Sequence, residues 1–329
     1  MMGNSTSNDN QDEETNQDLI NKRRVRDSRL YVEIRPNQWP IVYSHKYNIG
    51  FFEAGMLAED SVIEPIEATR EDLLVVHTKC YLHSLCVPCE VARIMEVPPV
   101  ACLPSCLIDH FALKPMRFQT GGTIIAARLA LEKNWSINIG GGFHHACSNK
   151  GGGFCVYADI SLALQFLFLE NRIKSAMIVD LDAHQGNGHE RDFANDSRVY
   201  IFDIFNKGIY PHDSEAKGYI SRSVPLNHYT DDREYLQKLA SELSTALGEF
   251  NADLIVYNAG TDCLIGDPLG ALSITPEGII QRDQIVFELA KQADTPIVML
   301  TSGGYLRESA KVISDSILNL RAKNLIQLT

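Results

Sequence analysis

The sequence predicts an α/β fold built around a mainly parallel sheet with helices on both faces. Its 329 residues, 45% of them hydrophobic and 22% charged, can bury a sizeable core as one large domain or two modest ones. Short continuous apolar runs, typical of strands buried on both faces, alternate with stretches of helical periodicity. Four of these runs end in glycines and polar side chains, as strands do at the ligand-binding edge of a parallel sheet.

Residues 1–28 form a polar segment ahead of these elements. Asn, Asp, Gln, Glu, Ser and Thr dominate its first part, and the basic residues Lys22, Arg23, Arg24 and Arg26 follow. Because this segment has too little apolar surface to form a core, we expect a disordered tail over 1–28 and a folded domain over 29–329. The basic cluster is compatible with a nuclear-import signal or with a solvated patch.

The elements of the folded part follow from its apolar pattern. The continuous apolar runs predict strands over residues 39–43, 136–139, 176–180, 198–203, 253–257 and 296–300. Helical periodicity predicts helices over residues 121–133, 158–170, 231–250, 275–292 and 306–320.

Polar and glycine-rich segments follow four of the predicted strands. They are GGGFHH (140–145), DLDAH (180–184), NAGTD (258–262) and TSGGY (301–305). Because the carboxyl ends of parallel strands lie at one edge of the sheet, we expect the four segments to build one site. A phosphate-binding loop is excluded, since no Gly-Lys-Ser/Thr follows the glycines.

Asp182 and His184 are candidate metal ligands. They lie two positions apart in an extended segment, so their side chains can face the same way. A carboxylate and a neutral imidazole suit zinc, and Asp267, just beyond the 253–257 strand, is the best candidate for a third ligand. Taken alone, an Asp-x-His pair is more often a turn carboxylate beside a core histidine.

His144, His145 and Tyr305 are candidate catalytic residues. The two adjacent imidazoles follow a triple glycine, which lets the backbone turn sharply, and could act as general base and general acid. Tyr305 follows two glycines at a strand end, where its hydroxyl could donate to a developing oxyanion.

Net charge and hydropathy argue against several classes of protein. The net charge of −12 argues against broad binding of a nucleic-acid backbone, and it suits either a cationic, lysine-rich substrate or an ordinary acidic protein. No run of about 18 apolar residues predicts a membrane span, and the polar start lacks a secretory signal. We therefore expect a protein of the nucleus, the cytoplasm or both.

The eight cysteines are expected to be reduced thiols. Four of them have loose zinc-site spacing, which leaves a structural zinc site as a minor alternative. They are Cys86, Cys89, Cys102 and Cys106.

Taken together, the segments resemble the zinc-dependent histone deacetylases, most closely their class IV branch. The resemblance covers about residues 38–325 and is strongest from Gln119 onward. The matching stretches are GGGFHH (140–145), GGGFC (151–155), DLDAHQGNGHE (180–190), YNAGTD (257–262), GDP (266–268) and TSGGY (301–305).

The resemblance implies a single domain with a mainly parallel eight-stranded sheet and one zinc ion at the sheet edge. The site residues that it implies are the metal ligands Asp182, His184 and Asp267, the acid–base pair His144 and His145, and Tyr305, which polarises the amide carbonyl. The implied reaction is hydrolysis of Nε-acyl-lysine, acetyl or long-chain fatty acyl, on histones or other proteins. Corepressor partners and a role in chromatin regulation are also implied.

Supporting residues follow from the same resemblance. Asp180 is expected to orient His144 by a hydrogen bond, and a monovalent cation, K⁺, is expected near Asp180 and Asp203. The residues expected to line the acyl-lysine tunnel are Gly153, Phe154 and Tyr210.

Two features depart from the family pattern. Asn187 stands where class I members carry an acid, and a neutral partner favours the neutral form of the second histidine as base. Residues 53–62 are shorter than the corresponding family segment by about twenty residues, including part of the active-site entrance, which would weaken water exclusion and substrate positioning.

Two alternatives remain open. The shortened segment leaves room for a metal-binding but weakly active or inactive scaffold. A manganese ureohydrolase of the same fold would need Asp-x-His-x-Asp, and Gly186 stands at the last position of that motif.

Overall fold

The computed structural model describes residues 6–36, 38–47 and 61–327, and these contain one sheet of seven parallel strands. The strands are β1 (Ile41–Val42), β2 (Trp135–Asn138), β3 (Ala176–Asp180), β4 (Val199–Asn206), β5 (Arg222–Leu226), β6 (Ile255–Asn258) and β7 (Ile297–Leu300). Their order across the sheet is β1-β2-β7-β6-β3-β4-β5. The predicted α/β fold with a parallel sheet is therefore confirmed.

Helices cover both faces of the sheet. The α-helices of the described residues are α1 (Thr6–Asp27), α2 (Arg70–Leu73), α3 (Lys79–Ser84), α4 (Pro88–Ile94), α5 (Ser105–Ile108), α6 (Lys114–Lys133), α7 (Asp159–Leu169), α8 (Asn187–Asp192), α9 (Asp232–Glu249), α10 (Pro276–Gln292) and α11 (Glu308–Ala322). Because successive strand side chains point to opposite faces, Ile178 packs with α6 and α7, whereas Val179 packs with α9, α10 and α11. No helix in the described part is long and apolar enough to cross a membrane.

All six predicted strands are present, with ends that shift by up to three residues. The sequence interpretation missed β5. Only alternate residues of β5 are buried, and Pro225 lies within it, which a strand tolerates at the edge of a sheet. An edge strand of this kind lacks the continuous apolar run that reveals the central strands.

The sheet has seven strands in the described residues, not the eight that the family resemblance implies. Next to β1 lies a short segment that includes Ser61 and Ile63. The Ile63 nitrogen donates to the Ile41 carbonyl at 2.8 Å, and the Trp39 nitrogen donates to the Ser61 carbonyl at 2.8 Å. This pairing forms a single parallel bridge, between Val42 and Ile63, and is too short to count as a strand.

The first helix lies where the sequence predicts a disordered tail. Helix α1 spans most of residues 1–28, and Val25 near its end is buried in the same hydrophobic cluster as α6 and α7. Upstream, the Asn21 amide donates to the Val75 carbonyl at 3.1 Å, and Arg24 pairs with Glu71 at 2.9 Å. The structure therefore has a helix where a disordered tail over 1–28 is expected, and among its described side chains Asn21, Arg24 and Val25 contact the domain.

Candidate active site

The four polar segments meet at the carboxyl edge of the sheet, as the sequence predicts. The loops after β2, β3 and β7 line a cavity of about 220 Å³. The loop after β6 lies behind it, since Asp262 Oδ1 accepts a 2.8 Å hydrogen bond from the nitrogen of Ala183. The cavity wall includes His144, His145 and Tyr305.

Three buried side chains, here named the metal group, could together hold a metal ion. Asp182, His184 and Asp262 each offer one ligand atom, and these atoms all lie within 4.8 Å of one another. His184 Nδ1 is 2.7 Å from Asp262 Oδ2 and 3.1 Å from Asp182 Oδ1. Two carboxylates and one imidazole, with further positions left for water or substrate, are a donor set that fits zinc.

Asp267, the third ligand that the sequence suggests, does not belong to this group. Its carboxylate accepts hydrogen bonds from the backbone nitrogens of Leu269, Gly270 and Tyr305, at 2.9, 3.2 and 2.9 Å. The third member of the group is Asp262, which lies in the turn directly after β6. The signal was available in the sequence, since Asp262 ends the NAGTD segment.

Glycines allow the loops to approach the metal group closely. A Cβ atom added to Gly303 would lie 2.4 Å from Asp182 Oδ2 and 3.1 Å from Asp262 Oδ2. A Cβ atom on Gly260 would also lie 2.4 Å from Asp182 Oδ2. Neither position tolerates a side chain without moving a carboxylate of the group.

The three side chains of the group are electrostatically coupled. Burial and the charge of Asp182 raise the pKa of Asp262 to about 7. Burial opposes protonation of His184, but its hydrogen bonds to the two carboxylates raise its pKa to about 10. Two carboxylates held this close repel each other, and a divalent cation between them would relieve that repulsion.

Asp180 lies within hydrogen-bond distance of His144. Its Oδ2 lies 2.8 Å from His144 Nδ1 and 2.8 Å from His189 Nε2, and its Oδ1 accepts from the Asn258 amide at 2.9 Å. Burial disfavours the imidazolium, but the charges of Asp180 and Asp182 raise the pKa of His144 to about 9. His189 and Asn258, which the sequence interpretation did not single out, complete this network.

The pKa of His145 is lowered, whereas that of His144 is raised. Its Nδ1 lies 2.8 Å from the amide oxygen of Asn187, at the start of α8. Burial first, and then the charges of His144 and His184, lower the pKa of His145 well below its ordinary value. The sequence interpretation attributes the neutral form to Asn187, whereas the Asn187 hydrogen bond raises the pKa of His145 and burial is what lowers it.

Aromatic residues lie beside His145 and beside Tyr305. Tyr210 packs edge-on against His145 with ring centroids 4.9 Å apart, and Phe154 lies 5.8 Å from the Tyr305 ring. A Cβ atom on Gly153 would lie 2.4 Å from the His145 ring. Burial and the charges of nearby carboxylates raise the pKa of Tyr305, so its hydroxyl remains a hydrogen-bond donor at neutral pH.

A second buried acidic group lies behind Asp180. Asp203 pairs with Asp180 in the β3–β4 register, and its Oδ2 accepts from the Gly186 nitrogen at 3.0 Å. Its Oδ1 and the Glu190 Oε1 are buried, and no described residue donates a hydrogen bond to either atom. Burial and the charges of Asp180 and Glu190 raise the pKa of Asp203 well above its ordinary value.

The shortened segment, residues 53–62, lies mostly outside the described residues, which resume at Ser61.

The cysteines with zinc-site spacing are free and exposed, and no cysteine belongs to a metal-binding group among the side chains that the structure describes. The alternative of a structural zinc at Cys86, Cys89, Cys102 and Cys106 therefore has no support in this fold.

The sequence of this chain is similar to a known protein family and to several known proteins. The family described as "Histone deacetylase domain" matches residues 42–320. Histone deacetylase 2 of Arabidopsis thaliana is 48% identical over 95% of this chain and 86% of its own length. An uncharacterised protein of a Picosynechococcus species is 30% identical over 82% of this chain and 89% of its own. Histone deacetylase 8 of Xenopus tropicalis is 30% identical over 76% of this chain and 70% of its own.

Proposed function

Because the chain belongs to the histone deacetylase family, we propose that it is a zinc-dependent hydrolase of Nε-acyl-lysine in proteins. The observation that carries the proposal is the buried group of Asp182, His184 and Asp262 beside two histidines of opposite protonation tendency. Zinc, when bound by these three residues, supplies a Lewis acid that polarises the acyl carbonyl and lowers the pKa of water.

The paired histidines divide the proton transfers. His145, held neutral by burial, is the general base that accepts a proton from the attacking water. His144, held protonated by Asp180, is the general acid that donates a proton to the lysine nitrogen as the amide C–N bond breaks. The products are a free lysine side chain and a carboxylate.

Tyr305 and the residues expected to line the acyl-lysine tunnel act on the acyl-lysine itself. The Tyr305 hydroxyl donates to the acyl oxygen as negative charge develops there. Gly153, Phe154 and Tyr210 surround the lysine side chain, since the glycine leaves room and the two rings flank it. Acetyl and long-chain fatty acyl groups are both candidate substrates, and the lysines belong to histone tails or other proteins.

The buried acids behind the site support a further cofactor proposal. Asp203 Oδ1 and Glu190 Oε1 accept no hydrogen bond from the described residues, as expected for oxygens that face a bound cation. We propose K⁺ near Asp180 and Asp203, where it would stabilise their charged forms and so the orientation of His144. We also propose class IV membership, nuclear or cytoplasmic localisation, and corepressor partners, on the strength of the sequence resemblance.

Hydrolysis of matched acetyl-lysine and myristoyl-lysine peptides tests the proposal. The chain is stripped of metal by a chelator, divided, and assayed with and without added zinc. Turnover that returns with zinc supports the hydrolase, and the ratio of rates between the two peptides identifies the preferred acyl group. Stoichiometric zinc binding without turnover would instead support the inactive scaffold that the shortened segment suggests.

A further inference from the structure

Arg282 is a fully buried arginine near the middle of α10, and no step of the proposed reaction uses it. Its Nε donates to Asp283 Oδ1 at 2.9 Å. A guanidinium carries five N–H donors in a fixed plane, so a single carboxylate leaves most of them to be satisfied elsewhere.

The remaining donors of Arg282 reach the two loops that carry the metal group. Nη1 donates to the Gly260 carbonyl and to the Leu181 carbonyl, the latter at 3.5 Å. Nη2 donates to the Ala259 carbonyl at 3.4 Å, and Nη1 also lies 3.2 Å from Cys263 Sγ.

These acceptors flank the metal ligands in the sequence. Leu181 directly precedes Asp182, whereas Gly260 and Cys263 stand on either side of Asp262. One side chain therefore binds the chain on both loops within two or three residues of the carboxylate ligands, and it is not among the residues that line the cavity.

Asp283 is itself fixed from two further elements. The Tyr257 hydroxyl of β6 donates to its Oδ1, and the Ser316 hydroxyl of α11 donates to its Oδ2 at 2.5 Å. Asp283 therefore fixes the orientation of the Arg282 guanidinium, and β6 and α11 fix the orientation of Asp283.

Stability alone does not account for such a pair. A buried ion pair is often no more stabilising than well-packed apolar residues of similar volume, because both charges lose their hydration. An apolar residue at position 282, however, could not bind the carbonyls of two separate loops.

We propose that Arg282 is a positioning residue that holds the Asp182 and Asp262 loops at the separation that metal binding requires. The proposal rests on the proposed function only in taking Asp182, His184 and Asp262 as the metal group. Groups that orient metal ligands typically change metal affinity by about 10- to 100-fold when they are removed.

The test compares Arg282→Lys with a matched control, Arg128→Lys, in the full-length chain. Arg128 is also a buried arginine, paired with Glu170 and bound to the Leu30 carbonyl, but it lies on α6 away from the metal group. Lysine keeps the charge and loses the planar fork of donors. Zinc affinity is measured by competition with a chromophoric chelator, and thermal unfolding is followed without metal.

We expect zinc affinity to fall at least about tenfold in Arg282→Lys and to stay within about twofold in Arg128→Lys, although both lose stability. Because Arg282→Lys can fail to fold, Tyr257→Phe is measured in parallel. It removes one hydrogen bond from Asp283, and a reproducible loss of zinc affinity of at least about twofold is expected.

Unchanged zinc affinity in the folded Arg282→Lys protein would overturn the positioning role. If that variant does not fold, unchanged affinity in Tyr257→Phe would overturn it. Hydrolysis of acyl-lysine by the wild-type chain distinguishes this failure from failure of the proposed function, because the wild type would still bind zinc and turn over. A wild-type chain that binds no zinc would refute both.

Discussion

The backbone nitrogen of Tyr305 donates a 2.9 Å hydrogen bond to Asp267 Oδ2. This contact joins the loop after β7 to the loop after β6 at the mouth of the cavity. Asp267 also caps the nitrogens of Leu269 and Gly270, so its carboxylate already has three donors. Its role is therefore to hold the segment that carries Tyr305, whereas Asp262 belongs to the metal group.

Alanine variants of the two aspartates should separate these roles. Asp262→Ala removes one of three ligand atoms, so we expect loss of bound zinc. Asp267→Ala should keep zinc and lower turnover by on the order of 10- to 100-fold, because a displacement of about 1 Å at a catalytic group can cost that much. Zinc per chain is measured by mass spectrometry of the dialysed proteins. The reverse pattern, zinc lost only in Asp267→Ala, would restore Asp267 as the ligand.

Replacing Tyr305 with phenylalanine should remove a donor without disturbing the metal group. We expect turnover to fall by about 10²- to 10³-fold, the range seen when one oxyanion donor is removed, with unchanged zinc content. Tyr229→Phe is the matched control, since Tyr229 is 75% exposed. Turnover of Tyr305→Phe equal to that of the control would remove Tyr305 from the mechanism.

The fold was largely predictable because its central strands are buried on both faces. A segment such as 176–180 is apolar at nearly every position, and the structure has a strand there with those bounds. Edge elements carry weaker signals: β5 contains Pro225 and has only alternate residues buried, and the edge pairing at Ile63 is a single bridge. Packing of Val25 could not be inferred, since one valine in a polar segment does not distinguish a docked helix from a tail.

The candidate site was predictable to the level of segments, and less so to the level of individual residues. Asp262 and Asp267 both follow the same strand, and only the fold decides which carboxylate faces the metal group and which binds backbone nitrogens. Arg282 gave no signal, because an arginine within a helix is usually exposed. Long-range partners of this kind depend on which loops the sheet brings together.

His77 should make the protein sensitive to mild acid. Its Nδ1 faces the Ser148 carbonyl at 3.2 Å and its Nε2 accepts from the Ala158 nitrogen at 3.0 Å, an arrangement that requires the neutral ring. Burial lowers the pKa of His77 to about 4 in the folded protein, against 6.5 for the free side chain. The unfolded chain therefore binds this proton first, and stability falls as the pH drops from about 6.5 toward 4.

The size of this effect is open to measurement by urea unfolding at several pH values. Between pH 7 and pH 5 the linkage amounts to about 2 kcal/mol. His77→Gln, which keeps one donor and one acceptor but does not titrate, should reduce the pH dependence by that amount. The exposed His110→Gln is the control. Equal pH dependence in the two variants would show that His77 does not carry the effect.

Helix α1 should contribute to stability through Val25, which is 4% exposed in the hydrophobic cluster with α6 and α7. Val25→Ala removes two buried methyl groups, so we expect the free energy of unfolding to fall by about 1–2 kcal/mol. Leu19→Ala on the same helix is the control, because Leu19 is 60% exposed and its truncation should stay within about 0.5 kcal/mol. Urea midpoints at constant slope measure both. Indistinguishable midpoints for the two variants would mean that α1 does not pack on the domain in solution, and would support the expected domain boundary at residue 29.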